Sequence, residues 1–383
     1  MSPSLYLGAM GFGLIAVCYG FARFAFGLFL PQIDADLSLS PTLSGLISGG
    51  SFLGYCIAIV LSAFLTERVG ARAVAVGAAL VAAIGMIGIA TAPSPLLLAS
   101  AVMLAGSSTG LASPPMAAAV AAAVRADRQS ATNTIINAGT SAGVVRSGPV
   151  ALMMGGQWRL AFAGFGVAAF VMAIAAAYSV PSRTKTATTT AASFPPLTSD
   201  IVRLIVASFL MGASSTALWS FGGQLVTLQL GWSSTGAGLL WIAIGAAGIV
   251  GASAGTLVAR FGIDYVHWLF LGGLAAGILL VGTSATTPLL AIAGGMLFGA
   301  AYIMLTGVYL VWGVSALPDR PATGLMIGFL TIAIGQTAGA PLFGLLMDRL
   351  PPDYAVIVFA CLTFTAGLAR AGNAQSSDLA PKS

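Results

Sequence analysis

From Leu5 onward the chain alternates long apolar runs with short breaks that hold nearly all of its charges. A helix needs about 20 mainly apolar residues to cross the hydrocarbon core of a bilayer. Runs of that kind fall at Leu5–Leu30, Leu43–Thr66, Ala73–Ala92, Leu96–Val124, Ala131–Gly155 and Leu160–Val180. They return at Ile201–Leu230, Gly236–Val258, Val266–Ala285, Leu289–Leu317, Gly324–Met347 and Tyr354–Leu368. The pattern predicts an all-α membrane protein of twelve transmembrane helices. Residues 1–180 form one six-helix bundle and residues 200–383 a second with a short tail. Segment 181–199, rich in Thr, Ala, Ser and Pro, is expected to be a flexible linker. No basic segment precedes the first run, which is therefore expected to be a span and not a signal peptide.

The two halves match at a nearly constant offset. Thr42-Leu43-Ser44-Gly45-Leu46 answers Thr235-Gly236-Ala237-Gly238-Leu239, Arg68-Val69-Gly70 answers Arg260-Phe261-Gly262, and Asp127-Arg128 answers Asp319-Arg320. Gly139-Thr140-Ser141-Ala142-Gly143 answers Gly335-Gln336-Thr337-Ala338-Gly339. Four ordered matches indicate parallel internal repeats, the arrangement of carriers whose halves rock about a midplane site.

Composition agrees. The chain is 58% hydrophobic and 7% charged, too few charges to cover a soluble protein of 383 residues. The 49 glycines suit close helix packing in lipid. The net charge of +5 does not mark a nucleic-acid binder, because the basic residues are spread near span ends and form no patch. With the N-terminus cytoplasmic, eleven Lys and Arg fall on the cytoplasmic side against Arg159 and Arg349 on the other, so the positive-inside rule places both termini and the linker in the cytoplasm. Cys18, Cys56 and Cys361 lie in apolar runs without metal spacing, and the single histidine, His267, has no second ligand nearby; neither a metal nor a cofactor is expected.

All ten acids lie in loops, tails or span ends, yet Arg23 and Arg146 lie inside the first and fifth spans. At about 1.5 Å per residue they sit on the order of 10 Å and 13 Å below the outer ends of their helices. A cation at such depth costs at least about 2.5–3.5 kcal/mol unless it faces a cavity and has a partner. With no buried acid, the partner points to the substrate, and a carboxylate suits a guanidinium fork. The alternatives are structural: Arg23 snorkels outward or pairs with Asp34 or Asp36, and Arg146 bonds carbonyls freed by Pro149. Further cavity candidates are Tyr19, one turn before Arg23, with Asn137, Trp219, Gln224, Tyr302, Tyr309 and Gln336. Each is polar or amphipathic within an apolar span, and each also suits helix–helix contacts or interface anchoring.

Gly70 and Gly262 permit tight turns. Arg68 and Arg260 sit at a membrane edge where they pair with helix C-termini or carboxylates, or simply set orientation. Pro149, after Gly148, removes a backbone donor and invites a bend. The stretch Ala63-Phe64-Leu65-Thr66-Glu67-Arg68-Val69-Gly70-Ala71-Arg72 resembles the signature of the major facilitator superfamily, usually Gly-x-x-x-Asp-Arg-x-Gly-Arg-Arg. Glu67 replaces the Asp, and Ala63 and Ala71 replace a Gly and an Arg. The second copy, Gly255 to Gly262, keeps Arg260 but has Ala259 for the acid. Gly139, Gly143 and Gly148-Pro149 resemble the family's span-five motif. The span-four Arg usual before Gly106 and Gly110 is missing.

The resemblance implies a monomeric carrier of small molecules by alternating access in a bacterial inner membrane. It also implies gating roles for Glu67, Arg68, Gly70, Arg72, Asp127, Arg128, Gly148, Pro149, Arg260, Gly262, Asp319 and Arg320. The residues favour a small organic anion as substrate. Efflux of a hydrophobic or drug-like compound is the alternative; a cation exporter is disfavoured by the lack of a buried acid. An enzyme is not expected, since no nucleophile–base pair, metal cluster or phosphate loop is evident. A sensor would carry a soluble output domain.

Overall fold

The computed structural model describes residues 3–182 and 197–371. Among them twelve membrane helices run back and forth. Helix α1 spans Pro3 to Leu37, α-helical over Pro3–Ile15 and Ala25–Leu37 and π-helical over Ala16–Phe24. The first bundle continues with α2 (Pro41–Val69), α3 (Ala71–Thr91), α4 (Pro95–Ala123), α5 (Ala126–Met154) and α6 (Trp158–Ser179). In the second, α7 is broken into Ser199–Trp219 and Gly222–Leu230, and α8 (Ser234–Phe261) tightens to a 3₁₀ turn at Ile249–Ser253. Helices α9 (Ile263–Gly282), α10 (Pro288–Ala316), α11 (Pro321–Arg349) and α12 (Pro352–Ala366) complete it. Most of the expected linker lies outside the described residues.

Several expectations need correction. The seventh span is not one helix: Ser220 and Phe221 interrupt it, and Gly222-Gly223 restart it. The first runs past Leu30 through Pro31 to Leu37, and the Gly27 carbonyl that Pro31 leaves without its helical donor lies against Gly223 of α7. Helix α5 runs through Pro149, continuous over Ala126–Met154.

The repeat has a physical cause. Side chains on Gly139 and Gly143 would collide with the Phe12 and Ala16 carbonyls of α1; side chains on Gly335 and Gly339 would collide with the Phe209 and Ala213 carbonyls of α7. The same crossing is built twice, and it needs small residues each time. The two turns match as well: Gly70 has φ +86° and Gly262 φ +82°, conformations that favour glycine. Ser94-Pro95 and Thr287-Pro288 start α4 and α10 in the same way, each hydroxyl accepting from the backbone N–H three residues on.

The outer faces are apolar. Ile84 of α3, Phe170 of α6 and Leu269 of α9 are all exposed. Large exposed apolar faces on long helices belong in lipid. Ten helices are long and apolar enough to cross a membrane among the described residues; α12 is shorter, and α5 is made more polar by the residues it turns inward.

The halves close on each other at the end of the bundle away from residues 3 and 371. Gly45 of α2 packs on the Ala340 carbonyl of α11, and Gly27 of α1 on the Trp219 carbonyl of α7. Ser48 and Ser220 share a hydrogen bond of 2.6 Å. The Thr42 N–H, in the first turn of α2, donates to Asp348 of α11 at 2.9 Å. A carboxylate at a helix N-terminus is worth about 0.3–1 kcal/mol, so this contact biases the closed arrangement. Asp348→Ala is expected to shift the equilibrium between closed and open far ends by up to about 5-fold. Spin labels at Leu96 and Leu289, both exposed at that end in opposite halves, should report it as added population at longer distance. An unchanged distance distribution would show that Asp348 carries none of the closure.

Candidate functional site

A cavity of about 510 Å³ lies between the halves. It runs from Arg23 and Tyr302 near mid-membrane, past Asn137 of α5 and Gly251 of α8, toward Gly255, Val311 and Phe329 near the end that carries residues 3 and 371. It is therefore shut at one end and extends toward the other.

Arg23 stands at the floor. Tyr19 and Arg23, four residues apart in the π-helical stretch of α1, lie on one face, and both line the cavity. Arg23 is 7% exposed. Its guanidinium carbon lies 4.5 Å from the centre of the Tyr55 ring, 4.9 Å from Phe52, 5.2 Å from Phe24 and 5.7 Å from Tyr19. Four rings thus offer π faces to one buried cation. Nη2 donates to Oε1 of Gln336 in the opposite half at 2.6 Å. The Gln336 amide then donates to Tyr302 Oη at 3.1 Å and to Ser215 Oγ at 3.4 Å. Nε of Arg23 is buried without a partner. Nε and Nη2 form one edge of the fork, the edge that a carboxylate grips with two oxygens; a single amide oxygen fills half of it. Tyr302 accepts from Gln336, so its own O–H is left to donate toward the cavity it lines. The Tyr19 and Ser113 hydroxyls hold each other at 3.1 Å. No carboxylate lines the cavity among the described residues.

The candidates divide. Arg23, Tyr19, Asn137 and Tyr302 line the cavity, and Gln336 sits behind them, bonded to Arg23. Trp219 stacks on Phe24 at 4.2 Å and seals the floor from beneath, so it does not line the cavity. Gln224 is buried in the second piece of α7, beyond that seal. Tyr309 is buried within the second half, where it meets His267 Nε2 at 2.9 Å and donates to the Ala207 carbonyl.

Arg146 is the main correction. It is exposed, on the α5 face shared with exposed Ile135 and Met153. It stands nine residues from Asn137, about half a turn out of phase with the cavity wall. Nor does Arg23 pair with Asp36, whose carboxylate is held by Arg159 at 2.9 Å while the same guanidinium binds the Ala90 and Ala92 carbonyls. Tyr55, Ser113, Thr134, Thr140, Ser141 and Thr306 also line the cavity and were missed. Tyr55 carried the same signal as Tyr19, a phenol within an apolar span; the hydroxyl residues look like ordinary small packing residues in sequence.

The loop residues lie at the helix ends and in the turns between them. Arg68 lies over the Phe64 ring at 4.0 Å and Arg260 over Phe261 at 5.2 Å, each within its own helix. Arg72 Nε donates to the Val180 carbonyl at 2.5 Å, tying the α2–α3 turn to the end of α6. Glu67 is exposed near the end of α2. Asp127 pairs with Arg125 at 2.7 Å beside exposed Arg128, and Asp319 and Arg320 lie in the turn before α11. Gly148, next to Pro149, packs against Gly238 and Ile242 of α8, on the seam between halves.

The fold and this central cavity define a membrane transporter. The family model for the Major Facilitator Superfamily matches residues 12–335, and the chain belongs to that family. Similar solved structures include a single-residue mutant of the nucleoside transporter NupG, with TM-score 0.79, 12% identity and coverage of 96% of this chain and 98% of that one. The xylose transporter XylE from E. coli, in a partially occluded inward-open conformation, gives 0.75 and 14% over 95% and 96%. An inward-facing, occupied bacterial homolog of the human lysosomal transporter Spinster gives 0.74 and 15% over 95% and 94%. At these identities the likeness is one of fold. No curated protein matches the chain in sequence.

Gln336→Glu tests the half-filled edge. A carboxylate there would supply both the second acceptor and the compensating charge. The variant is expected to gain on the order of 1–2 kcal/mol of stability. Gln336→Leu, which strands Arg23, should lose about as much. Thermal unfolding of the two variants beside wild type checks the pair; equal midpoints would mean that Arg23 needs no acceptor.

Proposed function

We propose that this chain carries a small organic anion across the membrane by alternating access, with Arg23 as the group that binds it. The observation that carries the proposal is the buried Arg23 fork, half satisfied by a neutral amide in a cavity without a carboxylate. A carboxylate that displaced Gln336 would meet Nε and Nη2 together, with the Tyr302 hydroxyl as a further donor. Arg23 and Gln336 belong to opposite halves, so occupancy of the fork would also alter how the halves are held together. The six-helix halves are the rocking units, joined by segment 181–199, and the Gly148-Pro149 seam is where one moves on the other. The loop arginines Arg68, Arg72, Arg260 and Arg320 latch the cytoplasmic end in the opposite state. The Lys and Arg bias supports cytoplasmic termini in a bacterial plasma membrane, which would make the present arrangement inward-facing.

Efflux of a hydrophobic compound is the second reading, favoured by the many apolar side chains of the cavity wall, among them Ile249, Ile303 and Phe329. A thermal-shift screen of carboxylates and neutral hydrophobes separates the two. At 100 times its dissociation constant a true ligand stabilises by about 2.7 kcal/mol. A carboxylate is expected to stabilise wild type and Arg146→Gln alike and to leave Arg23→Gln unshifted. If only neutral compounds stabilise, and Arg23→Gln responds like wild type, the anion reading falls.

A further inference from the structure

The two walls of the cavity differ. Eight of the twelve lining residues from the first half carry a polar or charged side chain, against two of the fourteen from the second half, Tyr302 and Thr306. The first wall offers Arg23 with the phenols of Tyr19 and Tyr55, the hydroxyls of Ser113 and Thr140, and the Asn137 amide. The second wall is made by Ile249, Ile303, Leu310, Val311, Phe329 and Ile332, set among glycines and alanines of α8 and α10. Among the described residues one cation and no carboxylate line the cavity.

A small hydrophilic anion would leave the second wall facing water or an apolar void and would recover little from it. A dianion would bring one charge more than the site neutralises, and an unpaired charge in a low-dielectric cavity is costly. A hydrophobe without a charge would leave the Arg23 edge and the Tyr302 proton unmatched. The molecule complementary to both walls has one anionic head and one apolar body.

We propose that the substrate is an amphipathic monoanion, a single carboxylate attached to a hydrocarbon chain or aromatic ring. Its head lies at the floor, on Arg23 Nε and Nη2 and the Tyr302 hydroxyl. Its body lies along α8, α10 and α11 toward the end that carries residues 3 and 371. The cavity volume of about 510 Å³ falls in the range that holds a drug-sized ligand, larger than a two- or three-carbon acid needs. This inference rests on the anion reading and narrows it.

The test uses four probes on the purified full-length protein: 4-phenylbutyrate, the neutral 4-phenylbutanol and the cationic 4-phenylbutylamine, all of similar length, and the short dianion succinate. Binding is measured in the same detergent for wild type, Arg23→Gln and Phe329→Asn, so that partition into micelles cancels. Wild type is expected to bind 4-phenylbutyrate at least ten-fold more tightly than each of the others. Arg23→Gln should erase the preference for the acid over the alcohol. Phe329→Asn should weaken 4-phenylbutyrate several-fold while keeping that preference. Succinate binding as tightly as 4-phenylbutyrate, and losing affinity in Arg23→Gln, would overturn the amphipathic substrate but leave an anion carrier. The alcohol or amine binding as well as the acid, with Arg23→Gln indifferent, would overturn both. Absence of binding by 4-phenylbutyrate to folded wild type overturns the inference as well.

Discussion

A guanidinium buried near the middle of an apolar bundle cannot be left to solvent, and the centre of this structure is arranged around that constraint. Arg23 donates a hydrogen bond from its fork to Gln336 and shares its remaining surface with the rings of Tyr55, Phe52, Phe24 and Tyr19. Ring faces moderate the cost of the charge, but they do not replace an acceptor for Nε. Phe24, beside Arg23, stacks on Trp219, whose carbonyl lies against Gly27. The floor of the cavity and the seal beneath it are thus continuous with the residues that hold the cation.

Small residues make the second requirement. Without a hydrophobic force between helices in lipid, association depends on close packing and polar contacts. Gly139 and Gly143 against α1, and Gly335 and Gly339 against α7, hold each half together by one device used twice. Polar knots then fix the far ends: Asp36, Arg159 and the α3 carbonyls in the first half, and Asp353 with Gln229 and Ser284 in the second. Between the halves stand glycine–carbonyl approaches, the Ser48–Ser220 pair, the Thr42–Asp348 bond, the Phe24–Trp219 stack and the Arg23–Gln336 bond.

The spans, the repeat and the family were legible because each rests on a property that sequence carries directly: run length, glycine spacing and charge placement. The break in α7 was not, since Gly222-Gly223 reads like any other small-residue packing site until the approach of α1 is known. The site was legible in part. Position along the chain singled out Arg23 and Arg146 alike, but it says nothing of azimuth. Counting from Asn137 at about 100° per residue would have placed Arg146 opposite the cavity wall, had it been known which face of α5 turned inward. Gln336 and Tyr302 were visible as polar groups in apolar spans. That Gln336 would reach across to Arg23 depends on a contact 313 residues apart, which no local pattern contains.

The scaffold is duplicated but the chemistry is not. By the offset that carries Phe12 onto Phe209 and Ala16 onto Ala213, Arg23 corresponds to Ser220, and Ser220 is spent on the seam with Ser48. Duplication explains the crossings, the turns and the helix starts, where backbone geometry allows few residues. It leaves the cavity lining free to differ, because a side chain that points into open space meets no steric requirement from its counterpart. A symmetric scaffold then comes to hold a site with one charged wall and one apolar wall. Specificity in such a molecule is to be sought where the repeat fails, and Arg23 is the largest failure of the repeat on the cavity surface.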